Sequence, residues 1–538
     1  MQPVLNIDDV KRVEVALTRE GVSVAELMHR AGLAAAREAL EFGQVGNVVV
    51  LAGLGNNGGD GWVAAEALRE RGVDVTVVSP IDPDALSGDL SRQVAQSAVR
   101  AGVSVLVGPS RGELEELLAP ADVVLDCMLG TGFRGEPRPP FDIWIECVNA
   151  CSARVLSVDV PSGLSAETGR AAGACVVADM TVTMISLKPG LLADDGRDAS
   201  GAIVVAPLAE QTERLVIDED PVAWRTDLVD YLGSIAPRTA AVDKFSRGSV
   251  LVVGGSRRYP GAAIMAARAA ARMGAGYVTL ATPASAAPVA QAHLLEIPVV
   301  PLPEDEDGTF TAQACDVVRK LAERSSAVLV GPGMRVSGGS AAIVSALLEC
   351  DVPLVVDADG LNCLARLTDG DLPKFPEAIR RDAPLVLTPH RGELGRLVGR
   401  PGASAPSSLI DQLAAAREIV WSDGGSELVV VAKGTATGCV SVEKAVLPKP
   451  GPAALATAGS GDVLAGMMAS ALAQRGGEDE DLALLAAYVC EVHAYAGSLA
   501  VERLGSRAVM AGDVIDVIGI ASDAVDEHVA YGEGPLGE

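Results

Sequence analysis

Short apolar runs alternate with longer amphipathic stretches along most of this chain. Val48–Ala52, Val75–Ser79, Val123–Cys127 and Arg154–Val160 form a first series, which closes near residues 201–207. Continuous apolar runs of this kind predict strands buried on both faces, in a parallel sheet flanked by helices. Ser23-Val-Ala-Glu26 has the form of a capping box and opens an Ala-rich helix reaching about Phe42. Residues 208–245 break the rhythm with Glu, Asp, Pro, Arg and Thr, which places a domain boundary near residue 220. A second series then runs from Ser249–Gly255 through Tyr277–Ala281, Ala327–Val330, Leu354–Asp357, Leu385–Thr388 and Leu428–Ala432. It ends in two Ala/Leu-rich helices, about 459–474 and 480–503. The two series do not repeat each other in sequence, so the chain reads as a fusion. The expected fold class is α/β, with domains at 1–215 and 226–525, a linker at 216–225 and a frayed acidic tail at 526–538.

Composition narrows the function. A chain of 538 residues exceeds one ordinary core, and 49% apolar with 21% charged residues marks a globular protein. The formal net charge of −28 argues against nucleic-acid partners, which are bound by clustered Lys and Arg. Nine scattered cysteines without a CxxC pair fit reduced thiols better than a disulfide framework. The five histidines are isolated and form no HExxH, so no zinc site is expected. The N-terminus shows no basic segment followed by an apolar one, so no signal peptide is expected. Long apolar stretches are broken by charges, as by Arg268 and Arg272, so no membrane span and a cytoplasmic location are expected.

Four segments of the first half fall at predicted strand ends, where open parallel sheets bind ligands. Val48–Ala52 leads into Gly53-Leu-Gly-Asn-Asn-Gly58-Gly59-Asp60-Gly61, a small-residue loop followed by a helix expected to begin near Trp62. Such a loop aims backbone N–H groups at a phosphate, and Gly58 and Gly59 would let the backbone approach a pyrophosphate closely. Asp126-Cys-Met-Leu-Gly130, Asp159-Val-Pro-Ser162-Gly163 and Lys188-Pro-Gly190 end three further runs. Asn57, Asp126 and Ser162 offer oxygens without sulfur or imidazole, a donor set for a hard cation. Asp159 closes a buried strand, where a partly desolvated carboxylate would exchange protons near neutral pH. Singly, each segment also reads as a structural turn, and Asp159 as a cap; their coincidence at four strand ends favours a site.

GLGNNGGDG, DCMLGTGFRGE and SVDVPSGL together resemble the N-terminal YjeF domain, the NAD(P)H-hydrate epimerase family, over about residues 1–215. The resemblance implies a Rossmann-like three-layer α/β/α domain. It implies hydrate contacts at Asn56, Asn57, Gly58, Gly59 and Asp60, at Gly130, Thr131, Gly132, Phe133, Arg134, Gly135 and Glu136, and at Asp159. It also implies a potassium ion (K+) held by Asn57, Asp126 and Ser162. Some relatives of this domain are inactive RNA-associated scaffolds, a reading that Asp159 and the acidic charge disfavour.

In the second half, Gly254–Ala262, Gly331-Pro-Gly333, Asp357–Asn362, Thr388-Pro-His390-Arg-Gly-Glu393 and Lys433-Gly-Thr-Ala-Thr437 likewise follow predicted strands. A lysine with a glycine and two hydroxyls suits a polyphosphate. Asp462 follows Ser460 and Gly461 at a helix start, where N–H groups could hold a transferring phosphoryl while the carboxylate takes the acceptor's proton. The bland readings are a core histidine at His390, a helix cap at Asp357 and a solvated Lys433. GGSRRYPGA, GPG, DADGLN, TPHRGEL, KGTAT and AGSGDVLAG together resemble the C-terminal YjeF domain, the ADP- or ATP-dependent NAD(P)H-hydrate dehydratase family, over about 225–525. That resemblance implies a ribokinase-like three-layer α/β/α domain. Hydrate contacts are implied at Ala262, Gly333, His390 and Asp462, and adenine-nucleotide contacts at Lys433, Gly434, Thr435, Ala436, Thr437 and Gly461. Asp243-Lys244-Phe245 departs from the His-Lys-Gly that relatives carry before their first strand.

The chemistry joins the halves. Hydrated NADH or NADPH is a hemiaminal whose hydroxyl can leave and return on either face, which interconverts its epimers. Phosphorylation of that hydroxyl by ADP or ATP, with Mg2+ neutralising the nucleotide, makes it a leaving group. The expectation is a cytoplasmic, homo-oligomeric repair enzyme with catalytic Asp159 and Asp462, small-molecule substrates, and neither nucleic-acid nor membrane partners. The rivals are a kinase for a small vitamin-like alcohol and a non-catalytic binding scaffold.

Overall fold

Along β2 (Asn47–Ala52), Val48, Val50 and Ala52 enter one apolar cluster while Val49 and Leu51 enter another. Side chains of a strand alternate between faces, so both faces of this sheet are covered. The first cluster packs against helices Ile7–Arg19, Val24–Glu41, Asn56–Glu70 and Asp89–Arg100, and the second against Arg111–Leu118 and Phe141–Ala150. This computed structural model describes residues 1–43, 45–231, 247–370, 381–422, 427–475 and 481–531. Asp243-Lys244-Phe245 lies outside them. The chain divides into two units, Gln2–Ala223 and Trp224–Glu538, the latter joined by Met1.

In the first unit, β1 (Gln2–Val4) bridges through Val4 to Leu187. The remaining strands are β2, β3 (Asp74–Ser79), β4 (Ser104–Val107), β5 (Val123–Cys127), β6 (Arg154–Val158), β7 (Met180–Met184) and β8 (Ala202–Ala206). They form a parallel seven-stranded sheet of order β4-β3-β2-β5-β6-β7-β8. Chain order reverses beside β2, and that reversal opens a crevice at the carboxyl ends of β2 and β5. The edge strand β4 escapes sequence patterning because its residues are only half covered.

The second unit contains β9 (Ala223–Arg225), β10 (Ser249–Val253), β11 (Tyr277–Pro283), β12 (Val299–Leu302), β13 (Ala327–Val330), β14 (Leu354–Val356), β15 (Leu385–Leu387), β16 (Leu428–Ala432), β17 (Gly438–Val440) and β18 (Ala445–Leu447). Their order is β9-β18-β17-β16-β15-β14-β13-β10-β11-β12, and β10 to β16 are mutually parallel. Val250, Val252, Leu329 and Val431 face helices Pro260–Arg272, Ser460–Ala473, Leu482–Leu504 and Ala511–Tyr531. The alternate residues Leu251, Val253, Val328 and Val430 are equally buried, so this sheet too is covered on both faces.

Several local expectations change. Ser23 accepts from the Glu26 N–H at 3.1 Å, but Glu26 turns its carboxylate to Arg30, so half of the capping box forms. The expected linker 216–225 holds the end of helix Thr212–Asp218 and β9, because Leu215, Val216 and Ala223 are buried. The expected tail is helical through Tyr531, as Val525 packs into the core. Leu482–Leu504 is long and apolar enough to cross a membrane, against the reading of charge-broken stretches, yet 72% of its most apolar window is buried within the protein. A helix apolar all round is the expected form of a core helix.

The last layer is drawn tight at Gly466. A Cβ there would lie 2.1 Å from the Ala266 carbonyl oxygen of the facing helix. Helix propensity alone favours Ala over Gly by about 1 kcal/mol, but a backbone carbonyl cannot swing aside. Gly466→Ala is therefore expected to destabilise the second unit by roughly 1–3 kcal/mol. Calorimetry should show its transition lowered and that of the first unit unmoved; a net gain in stability would refute this packing.

Candidate functional site

The glycine-rich run after β2 is helical from Asn56, not from Trp62. Its glycines explain why. A Cβ on Gly58 would sit 2.0 Å from the Gly53 oxygen, one on Gly59 2.5 Å from Met28, and one on Gly61 2.8 Å from Cys127. Gly58 and Gly59 are therefore required by internal packing, whatever they offer a ligand. The helix N-terminus, with Gly55 at its cap and no side-chain cap, still presents unpaired N–H groups beside β2.

Asp159 follows β6 in a left-handed conformation, φ +70°, and its N–H is tied to Val182 O at 2.7 Å. This strained backbone turns its carboxylate to the fully buried Lys188, with Nζ to Oδ1 at 2.6 Å. Lys188 also donates to Thr183 Oγ1 at 2.7 Å and Met184 O at 2.8 Å, so all three of its protons are used. Burial pushes the Asp159 pKa up, but the charge and hydrogen bond of Lys188, with Thr131, outweigh it and hold the carboxyl below its ordinary value. Desolvation alone was expected to carry this carboxyl toward neutrality, and the buried lysine reverses the direction of the shift. Asp60 is the opposite case: burial, then the charges of Asp159 and Glu14, raise it well above the ordinary value. Lys188 had one sequence signal, its place between an apolar run and Pro189-Gly190.

Gly130 brings Asn57 and Asp159 together, since its missing Cβ would lie 3.2 Å from Asn57 Cβ and 3.5 Å from Asp159 Oδ2. Both polar atoms of the Asn57 side chain are buried without a hydrogen-bond partner. Asp126, at the carboxyl end of β5, accepts from Ser157 Oγ and the Ser162 N–H, each at 2.8 Å, and from Ser162 Oγ. Burial nonetheless raises its pKa above the ordinary value against these donors. Ser162 in turn accepts from the Leu129 N–H at 2.9 Å. Asp126 and Ser162 are thus in contact, while Asn57 reaches the same crevice through Gly130. Residues 133–139, with Leu129 and Phe141, line a cavity of about 560 Å³ beside them.

The second site also gathers where parallel strands end. Gly333, at φ +65°, admits Tyr259 and Ala262: a Cβ would lie 2.6 Å from Tyr259 O and 3.0 Å from Ala262 Cβ. Asp357 is buried after β14 and accepts from Thr388 Oγ1 at 2.7 Å and Lys433 Nζ at 2.8 Å. The Lys433 ammonium is thus paired with Asp357 at the end of β16. Burial pulls the Lys433 pKa down, but Asp357 and Glu393 outweigh it and the net shift is upward. Gly434–Thr437 make the connection from β16 to β17. A Cβ on Gly461 would lie 3.3 Å from Lys433 Nζ, so this glycine seats the helix start on the ion pair. The next residue, Asp462, is pushed up to about 7 by burial and Asp357, against Lys433.

His390 is neither core nor free: its Nδ1 accepts from Gly392 N at 2.9 Å, capping helix Arg391–Leu397. That role fixes Nδ1 as the acceptor and leaves any proton on Nε2. Burial and Lys433 lower its pKa. Sequence reasoning missed the roles of Asp357 and Glu393, the latter pushed by burial up to about 7. It also missed His493, whose Nε2 lies 3.3 Å from Ser460 Oγ. Its place on a largely apolar helix gave no signal.

A sequence model described as YjeF-related protein N-terminus matches residues 24–190, and one described as NAD(P)H-hydrate dehydratase matches residues 250–519. A bifunctional NAD(P)H-hydrate repair enzyme of Salinibacter ruber is 36% identical over 493 residues, 88% of this chain and 86% of the relative. One of Hyperthermus butylicus is 35% identical over 505 residues, 93% of this chain and 88% of the relative. A solved ADP/ATP-dependent NAD(P)H-hydrate dehydratase of Bacillus subtilis, co-crystallised with ATP/Mg2+, aligns at 25% identity and a TM-score of 0.44. That alignment covers 55% of this chain and 97% of the other.

Replacing Lys188 by Met strands Asp159 as a buried, unpaired charge. The expected loss is roughly 3–5 kcal/mol in the first unit, read by urea unfolding. The double variant Asp159→Asn/Lys188→Met is expected to lose less than Lys188→Met alone; additive losses would show that the two side chains do not interact.

Proposed function

This chain belongs to the bifunctional NAD(P)H-hydrate repair enzymes, and we propose how its two units divide the work. The first is an epimerase of hydrated NADH and NADPH; the second is an adenine-nucleotide-dependent dehydratase of the same hydrates. The observation that carries the assignment is the opposite tuning of the carboxylates at the strand ends. Lys188, 2.6 Å from Asp159, holds that carboxyl below its ordinary value, burial raises Asp60 well above its own, and Asp462 is pushed up to about 7 beside the Lys433–Asp357 pair. Pairs of groups pushed apart in pKa identify acid and base.

In the epimerase, the hydrate hydroxyl takes the Asp60 proton and leaves as water, with the ring nitrogen's lone pair forming an iminium. The Asp159 carboxylate stabilises that cation and accepts the proton of the water entering from the other face. Passage of this proton back to Asp60 restores the starting state. Asn57, Asp126 and Ser162 would hold potassium: the buried Asn57 oxygen lacks a donor, which fits a cation. The ion supplies positive charge for the substrate's phosphates when bound.

In the dehydratase, Asp462 takes the hydroxyl proton as the terminal phosphoryl group of ADP or ATP moves onto the oxygen. The carbon–oxygen bond then breaks, and the departing phosphate takes the proton of the adjacent ring carbon to give the dihydronicotinamide. Gly434–Thr437 and the N–H of Gly461 would receive the nucleotide, with Lys433 acting through Asp357. Ala262, Gly333 and His390, whose Nε2 lies 3.3 Å from Glu393 Oε1, would hold the hydrate. The described residues contain no cluster of three His, Cys, Asp or Glu side chains, so magnesium would bind chiefly through the nucleotide phosphates. This step serves the S epimer, and epimerisation supplies the R epimer to it. The resemblance supports a cytoplasmic homo-oligomer.

The test follows dihydronicotinamide absorbance from mixed hydrate epimers with Mg2+, K+ and ADP or ATP. Wild type should recover all the substrate, Asp159→Asn should stall at one epimer's share, and Asp462→Asn should fall by about 10²–10⁴-fold. No recovery by wild type, or a stable phosphate ester as product, would overturn the dehydratase assignment. Because Asp462 must be ionised to act as base, dehydratase kcat should rise with pH through about 7. A flat profile between pH 6 and pH 8, as measured points on that curve, would remove Asp462 from the rate-limiting step.

A further inference from the structure

We propose that the cavity beside the epimerase site receives the adenosine end of the substrate, and that Arg138 there reads the 2′-phosphate distinguishing NADPH hydrate from NADH hydrate. The proposal rests on the epimerase reading and adds to it a determinant of substrate choice.

The cavity, about 560 Å³, is within the size of a pocket for part of a dinucleotide. Its wall is tied to the reacting end, because Leu129, in that wall, donates to Ser162, and Thr131 of the same loop donates to Asp159. Two aromatic rings, Phe133 and Phe141, line it. Phe141 is braced edge-on by Trp144, with centroids 5.6 Å apart and planes at 89°. Trp144 is itself buried, so this wall is rigid. Such surfaces suit a planar base.

The charges then divide the labour. Arg134 spends its guanidinium on the carbonyls of Thr131 and Phe133, both at 2.8 Å, and so stiffens the loop. Arg138 lines the same cavity, and among the described residues its side chain makes no hydrogen bond or ion pair. In a chain of net charge −28, the exposed Arg138, in a wall that also carries two aromatic rings, offers a local anion site. Glu136, also in the wall, is chemically suited to accept from a free ribose 2′-hydroxyl and to repel a 2′-phosphate. Arg138 and Glu136 thus set opposite preferences in one pocket.

The experiment measures epimerisation of purified R hydrates by the full-length protein, without ADP or ATP so that the dehydratase is idle. Arg138→Ala is expected to raise KM for NADPH hydrate about tenfold more than KM for NADH hydrate, with Arg138→Lys intermediate. Glu136→Gln is expected to shift that ratio the opposite way. Adenosine 2′,5′-bisphosphate should inhibit wild type more strongly than adenosine 5′-monophosphate, and Arg138→Ala should abolish the difference. An unchanged KM ratio in Arg138→Ala, with both hydrates still epimerised, overturns the phosphate role alone. Failure of wild type to epimerise either hydrate overturns the epimerase reading itself.

Discussion

The closest constraint in this protein is backbone packed on backbone where a side chain would not fit. Gly53 lies where a Cβ would meet the Met128 oxygen at 1.9 Å, and Gly58 where one would meet Gly53 itself at 2.0 Å. These contacts press the start of helix Asn56–Glu70 against the carboxyl ends of β2 and β5. The helix N-terminus, Asn57, Asp126 and the loop at Gly130 share one crevice only because that approach is possible. In the second unit, Gly331 plays the same part, with a would-be Cβ 1.8 Å from Asp357 O. Glycine loses more conformational freedom on folding than other residues, so these runs are locally unfavourable and are held by the packing around them.

On each of these frames a lysine meets an aspartate with one partner fully buried, Lys188 in the first pair and Asp357 in the second, with different consequences. Lys188 binds Asp159 directly, so Asp159 stays anionic despite its burial. Lys433 binds Asp357 instead, and the neighbouring Asp462 is left with a like charge nearby and little water. One arrangement yields a carboxylate that rests as an anion, suited to a cationic iminium; the other yields a base near neutrality suited to a hydroxyl. A charge pair in a low-dielectric interior thus tunes whichever carboxylate does or does not own the lysine. The same physics keeps His493 neutral, with its pKa lowered to about 4 by burial and by Lys433.

The sequence by itself determined two α/β units, the chief central strands and the motif carboxylates. Periodicity follows directly from which positions must leave water, as at Val48–Ala52 and Ser249–Val253, and Asp159 and Asp462 stood in recognisable motifs. Edge and antiparallel strands such as β4, β12 and β17 were not legible, since half-covered or very short segments carry weak patterns. Nor was the helix at Asn56, where tertiary packing overrides the poor propensity of its glycines. Only the tertiary structure decided that Lys188 belongs to Asp159, that Lys433 belongs to Asp357 and that Arg138 stays uncommitted among the described residues. Those pairings join residues 29 and 76 positions apart in the two ion pairs, and burial sets their charge. Distance in space and exclusion of water are properties of the folded chain, and local sequence encodes neither.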